Sequence, residues 1–334
     1  VLHDQPGLVA GFSHAFADAD DLSHALLGGT FEYLPMPGQA FAARLNVLKL
    51  GEMVIQVANQ GAHTARGAMD EGLTVLLLPL HYSEAPARMN GAEVQRSGAF
   101  LAPGGVEFYG HAPADLGWAA LALPRAQLEA LAELAPLPVR LPGEAGILAL
   151  PAEAEARLSG AVAAAAAMAS APPAVLFGHD CAAGLVQSLG ELVGDALSAD
   201  SALIAVPRAT REAHRVVRAA EEFLDAHVGQ PIYREQLCAA LGVSLRKLHD
   251  TFSATVGMSP QTYLKTRRLL LARRALRRAE GEPALVKAVA LSHGFWHFGH
   301  FARDYRALFG ESPSATRGAT ATAQPMLRPL TRAA

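Results

Sequence analysis

Residues 237–260 read LCAALGVSLRKLHDTFSATVGMSP, and residues 289–313 read VALSHGFWHFGHFARDYRALFGESP. Gly257, Ser259 and Pro260 of the first stretch recur as Gly310, Ser312 and Pro313, 53 residues later, and Leu248 and Phe252 recur as Phe301 and Tyr305. Upstream the offset is 52, matching Cys238 and Gly242 with Ala290 and Gly294, so the second copy carries one extra residue in its turn. A fixed spacing of this kind marks one supersecondary unit used twice. Each copy reads as a short helix ending at a glycine, then a second helix. In the first, Gly242 closes one helix and Ser244 caps the next, whose Leu245, Leu248 and Phe252 form an apolar stripe. Gly257 stops that helix, and Ser259-Pro260 opens another with proline at its first position. Helix, tight turn and second amphipathic helix is the helix-turn-helix unit, whose second helix enters the major groove.

Charge divides the chain in the same way. The net charge of −3 hides 8 Lys and Arg against 21 Asp and Glu in residues 1–206, and 20 against 10 in residues 207–334. A basic half joined to an acidic one is the electrostatic footprint of nucleic-acid binding. With 334 residues, 51% hydrophobic and 18% charged, the chain has material for two cores and is not disordered. Two cysteines build no disulfide framework and point to a reducing, cytosolic compartment. Val1-Leu2-His3-Asp4-Gln5 has neither a basic n-region nor an apolar h-region, so no signal peptide is expected. The uncharged run from Leu158 to Gly178 is mostly alanine and is broken by Pro172-Pro173, which predicts a soluble helix rather than a membrane span.

On these residues the segment 212–317 resembles the DNA-binding domain of the AraC/XylS family of bacterial transcription regulators. The tract His293-Gly294-Phe295 through Phe301-Ala302-Arg303, Phe309-Gly310 and Ser312-Pro313 to Arg317 is similar to that family's second-unit signature. Tyr263, Leu264, Arg268, Leu269 and Ala272 resemble the start of its connecting helix. The resemblance implies two helix-turn-helix units joined by a long helix, duplex operator DNA as partner, RNA polymerase as a further one, and a cupin-like sensing domain in front. Trp296 and His297 stand where the family has a capping serine or aspartate, Gly299 replaces a polar residue, and Asp250 stands where many members have arginine.

The expected fold is therefore α+β and multi-domain. Short β runs at Leu45–Leu50, Met53–Ala58, Leu73–Leu80, Ala99–Ala102 and Gly117–Leu123, with Asn90-Gly91 as a hairpin signal, predict a sandwich or jelly-roll barrel over about 42–123, which the resemblance makes cupin-like. Helices at Arg125–Leu134, Ala152–Ala169 and Phe177–Leu197 trail it and complete an effector-sensing and dimerising domain over 1–200. A linker at 201–210, the DNA-binding domain at 211–318 and a disordered tail at 319–334 follow. Leu185, Leu189, Leu192 and Ala196 fall on one stripe, read as core or as the interface of a homodimer.

With Leu248 inward, about 100° per residue places Arg246, Asp250 and Ser253 opposite, flanked by Lys247 and His249. With Phe301 inward, Gly299, Arg303 and Arg306 face out, flanked by His300 and Ala302, and Phe298 is read as packing or as stacking on thymine methyls. Arg303 and Arg246 are the candidates for bidentate contact with guanine. The arginines of 265–278 are read as divided between phosphates and the acidic domain. In the barrel, Arg44, His63, Arg66, His81 and Tyr109 are the polar candidates to orient a small-molecule effector. A metal-dependent cupin-type enzyme fused to a DNA-binding domain is the alternative. It needs histidines and a carboxylate converging on one metal, whereas His63, His81 and His111 are isolated in the sequence. No catalytic residue, cofactor or metal is therefore assigned.

Overall fold

The computed structural model of the chain describes residues 9–82, 85–134, 145–170, 179–197, 202–204, 206–227, 233–278, 284–318 and 325–329. The chain starts with β1 (Val9–Phe16) and a short helix α1 (Ala19–Ala25). It continues through β2 (Gly29–Pro35), β3 (Ala43–Leu50), β4 (Met53–Gln60), β5 (His63–Met69), β6 (Leu73–Tyr82), β7 (Arg88–Met89) and β8 (Ala92–Glu93). Then come β9 (Gly98–Pro103), β10 (Glu107–Ala112), β11 (Leu116–Pro124), α2 (Arg125–Leu134), β12 (Gly146–Ala149), α3 (Ala152–Ala167), α4 (His179–Ala196) and β13 (Ala202–Leu203). The remainder is helical: α5 (Arg208–Ala226), α6 (Arg234–Leu241), α7 (Leu245–Val256), α8 (Pro260–Arg278), α9 (Ala284–Ser292), α10 (Phe298–Phe309) and α11 (Pro313–Gly318). A last short strand, β14, covers Arg328–Pro329.

The strands form two antiparallel sheets, ordered β13-β12-β9-β6-β11-β4-β3-β1-β14 and β2-β5-β10-β7-β8. Among the described residues no strand joins the two, so the sheet-rich region is built from two sheets, as the sandwich reading expected, without barrel closure. It also begins at Val9, well before residue 42. All five strands expected from apolar runs are present, as β3, β4, β6, β9 and β11. Those runs are continuous because both faces of the larger sheet are covered. On β4, Val54, Gln56, Ala58 and Gln60 face the other sheet, while Met53, Ile55 and Val57 face outward under α3 and α4. The Asn90-Gly91 signal also holds: both residues have positive φ, 52° and 80°, and join β7 to β8.

The stripe on α4 belongs to the molecule's own core. Leu189, Val193 and Ala196 are buried with Leu158 and Val162 of α3 against Ile55, Leu76 and Leu121, and Leu185 and Leu192 pack at the edge. Within one chain the stripe is therefore core. Residues 325–329 also depart from expectation: β14 pairs with β1, Gly11 facing Arg328, and adds an edge strand where a structureless tail was expected. The rest of that tail lies outside the described residues, as do Pro172-Pro173.

In the helical half the capping signals are realised. Gly242 and Gly257 take φ of 63° and 69°, and the Ser244 hydroxyl accepts from Lys247 N at 3.2 Å. Ser259 and Ser312 do the same for Thr262 N and Ala315 N, at 3.2 and 3.1 Å, so the Ser-Pro of both copies opens a helix. Leu245 departs from its predicted place. It lies on the first turn of α7, ahead of the buried residues that start at Leu248, and is exposed.

We expect Leu189→Asp to destabilise the fold by at least ~3 kcal/mol, since it places an unpaired charge in the core. Urea unfolding measures it. A variant of unchanged stability but altered association state would show that the stripe is a surface.

Candidate nucleic-acid interface and the docking surface behind it

Helices α7 and α10 each turn one face to solvent. On α7, Leu248, Thr251, Phe252, Thr255 and Val256 are buried, and Arg246, His249, Asp250 and Ser253 are exposed, with Lys247 half-buried. Arg246 Nε lies 3.7 Å from the Asp250 carboxylate one turn on, so the acid that would be repelled by phosphate instead orients an arginine. On α10, Phe301 and Tyr305 are buried while Phe298, Gly299, His300, Arg303 and Arg306 are exposed. Lys287 Nζ stands 5.9 Å over the Phe298 ring. Asp304 accepts from Lys265 at 3.2 Å and ties α10 to the connecting helix α8. His297 at the N-cap of α10 makes no side-chain cap bond, as the missing serine or aspartate foretells.

The opposite side of the helical domain sits on the outer face of the smaller sheet. Glu221 of α5, 2% exposed, accepts from the hydroxyls of Tyr109 and Tyr263 and from Arg66 at 3.0 Å. Glu32 of β2 faces Arg66 at 3.0 Å, Arg274 at 2.8 Å and Arg267 at 3.4 Å. Arg274 also holds the buried Asp20 at 2.6 Å, and Arg277 holds Asp21 at 2.6 Å. Arg273 bonds Asp18 and Glu311 and covers the Phe309 ring at 4.6 Å. Four arginines of α8 therefore engage the acidic domain, and Arg273 in particular is no phosphate contact here. Closer to α7, Thr64 Oγ1 donates to the Val256 carbonyl at 2.7 Å. The His111 ring fills the space beside Gly257, where any Cβ would overlap it.

Burial alone would raise the Glu32 carboxyl, but the guanidiniums of Arg66, Arg267 and Arg274 outweigh it and hold its pKa below the usual range. Glu221 has fewer cations, and burial leaves its pKa raised.

The five effector candidates do not form one site. Arg44 and His81 are exposed, and Arg66 and Tyr109 serve the docking surface. His63 alone lines a cavity of about 70 Å³ between the sheets, with Tyr33, Gln60, Met89, Phe108 and Trp118 among its walls. His63, His81 and His111 likewise fail to converge, and among the described residues no three His, Cys, Asp or Glu are grouped to hold a metal.

A family model described as "Helix-turn-helix domain" matches residues 237–319. The probable thc operon regulatory protein of Rhodococcus erythropolis is 39% identical over 99 residues, 30% of this chain and 30% of its own length. The XylDLEGF operon transcriptional activator 2 of Pseudomonas putida is 36% identical over 95 residues, 28% of this chain and 60% of its own. The C-terminal third of the chain is an AraC-type helix-turn-helix domain. A solved probable AraC family transcriptional regulator from Rhodopseudomonas palustris is 40% identical, covering 31% of this chain and 95% of its own with a TM-score of 0.28. The AraC-like activator CuxR covers 78% of this chain and 94% of its own at 15% identity and a TM-score of 0.41.

The sequence reading missed the acidic partners of the AraC-type domain. Glu221 had a visible signal, since it falls on the α5 stripe of Val217, Ala220 and Leu224, where a carboxylate is buried only if paired. Gln60 had none.

Removing one member of a buried ion cluster costs ~3–5 kcal/mol, whereas an exposed pair contributes under ~1. Arg274→Ala is therefore expected to loosen the AraC-type domain from the sheet and speed amide hydrogen exchange in β2 and β5. Arg277→Ala, at the rim, is expected to change little. Equal effects from the two would contradict the docking geometry.

Proposed function

We propose that this chain is a transcription regulator of the AraC/XylS type, and that it binds duplex operator DNA through α7 and α10 while its sandwich domain takes a small-molecule effector. The observation that supports this most is the pair of outward recognition faces, Arg246, Lys247, His249 and Asp250 on α7 and Phe298, Gly299, His300, Arg303 and Arg306 on α10. Both stay accessible while the other side of the domain is docked. The names of the two relatives, a regulatory protein and a transcriptional activator, agree with it. RNA polymerase is the partner on which such a regulator acts, and no catalytic step or metal belongs to the reading. Its place of work is the cytoplasm, where operator DNA lies; no helix among the described residues is long and apolar enough to cross a membrane. Homodimerisation, which would bring four helix-turn-helix units to one operator, uses a surface other than the α4 stripe.

Effector and DNA would communicate through β5 and β10. Inward residues of these strands, His63, Ala65, Phe108 and Gly110, line the cavity. The alternate residues Thr64, Arg66, Tyr109 and His111 touch α5, α7 or the Gly257 turn. A ligand shifts the regulator only as far as it favours one arrangement of these strands over the other.

Selection from random duplexes with the full chain, followed by footprinting, tests the reading. The expected footprint is two protected segments about one helical turn apart (~34 Å), with affinity falling steeply as salt rises. Arg303→Ala is expected to cost ~1–3 kcal/mol and to relax preference at one base position. Salt-independent affinity, or one short protected segment, would overturn it.

A further inference from the structure

The cavity between the sheets has one polar end, built by Gln60 and His63. His63 Nδ1 lies 2.8 Å from the carbonyl oxygen of Gly61. A carbonyl only accepts, so the ring proton is on Nδ1 and Nε2 carries a lone pair. Burial pushes the His63 pKa down to about 4, which keeps the ring in this neutral form at neutral pH. The atom 2.8 Å from His63 Nε2 is Gln60 Nε2, which donates to it.

That bond orients the amide and turns Gln60 Oε1 away from His63. Gln60 is 3% exposed; the buried Tyr33 side chain lies against the same amide, yet Gln60 Oε1 meets no donor in hydrogen-bonding geometry. A buried acceptor left without a donor keeps its full desolvation penalty, and an occupant that supplies the proton recovers it. Gln56, the other amide lining the cavity, is satisfied by both backbone groups of Leu27.

Charge narrows the occupant further. Arg88 is the one lining residue with a permanent charge, and its guanidinium faces Glu93 at 3.1 Å. With His63 neutral, an anion in the cavity would meet the Gln60 oxygen and lose its hydration uncompensated. Apart from Tyr33 and His111 the remaining walls are apolar, Leu77, Met89, Phe108 and Trp118 among them.

We propose that the cavity binds an uncharged, mainly apolar compound carrying one hydroxyl, whose proton is donated to Gln60 Oε1. This rests on the effector reading above and names the class of ligand. The volume of about 70 Å³ is under half the ~150 Å³ of a cavity that takes up benzene. A ring-sized occupant therefore displaces side chains of β5 or β10, the strands that carry the docking surface.

Three ring probes differing in one group decide the question: phenol, toluene and benzoate. Each is titrated into the full-length Trp296→Phe protein while the indole N–H resonance of Trp118 is followed, the chain having two tryptophans. Phenol is expected to bind about fivefold or more tighter than toluene, with benzoate weakest. In Gln60→Leu the preference for phenol over toluene should vanish while toluene binding persists. Benzoate binding tightest, a phenol preference unchanged in Gln60→Leu, or no response to any probe would overturn the proposal. DNA binding of the parent chain, with Trp296 unchanged ahead of α10, separates the two readings. If it is intact and the probes fail, the ligand class alone falls; if it is lost, the regulator reading falls.

Discussion

Glu32 and Glu221 lose nearly all their water where the sandwich meets the helical domain, and that desolvation dictates what surrounds them. A carboxylate taken out of water persists as an ion only if cations and hydroxyl donors replace its hydration. Arg66 reaches both, Arg267 and Arg274 come to Glu32 from α8, and Tyr109 and Tyr263 come to Glu221 from opposite domains. Such a lattice adds little net stability over two hydrated surfaces. Its geometry nevertheless admits few registers, because a displaced domain leaves buried charges unpaired. The smaller apolar contact of Leu34 and Tyr109 with Val217 and Phe252 seals the same seam.

Because the lattice grips the outer side chains of β2, β5 and β10, the inner side chains of those strands are coupled to it by the pleat itself. Arg66 is one residue from Ala65 and three from His63; Tyr109 lies between Phe108 and Gly110. An occupant between the sheets and a helical domain outside them therefore press on opposite faces of one layer. The recognition helices point the other way. Of the two, α7 packs in the core next to the sheet and α10 in a separate one.

The helical half was legible because its signals are local. Gly242, Gly294 and Gly310 donate back to the helix they end, Ser244, Ser259 and Ser312 accept from the helix they open, and the doubled spacing made these signals unambiguous. The larger sheet was legible as apolar runs, since both its faces are buried. The smaller sheet was not. Strands β5 and β10 place Thr64, Arg66, Tyr109 and His111 at outward positions that look solvent-facing until the second domain covers them. The same cause misassigned Arg66 and Tyr109 to an effector site: a polar residue on a strand looks alike whether it orients a ligand or pairs across a seam. The opposing charge of the two halves did announce that seam, though it could not name which of the arginines on α8 would cross it.

A double-mutant cycle on Glu32 and Arg274 tests the docked arrangement most directly, since the two lie in different domains and share one ion pair at 2.8 Å. Unfolding free energies of Glu32→Gln, Arg274→Gln and the double variant are compared with those of the parent chain. A coupling of about 1 kcal/mol or more is the predicted result, because Glu32 keeps Arg66 and Arg267 and Arg274 keeps Asp20 in the single variants, so the cycle isolates their own contact in the seam. Additivity within ~0.5 kcal/mol would show that the two residues do not meet in solution, and would contradict the account.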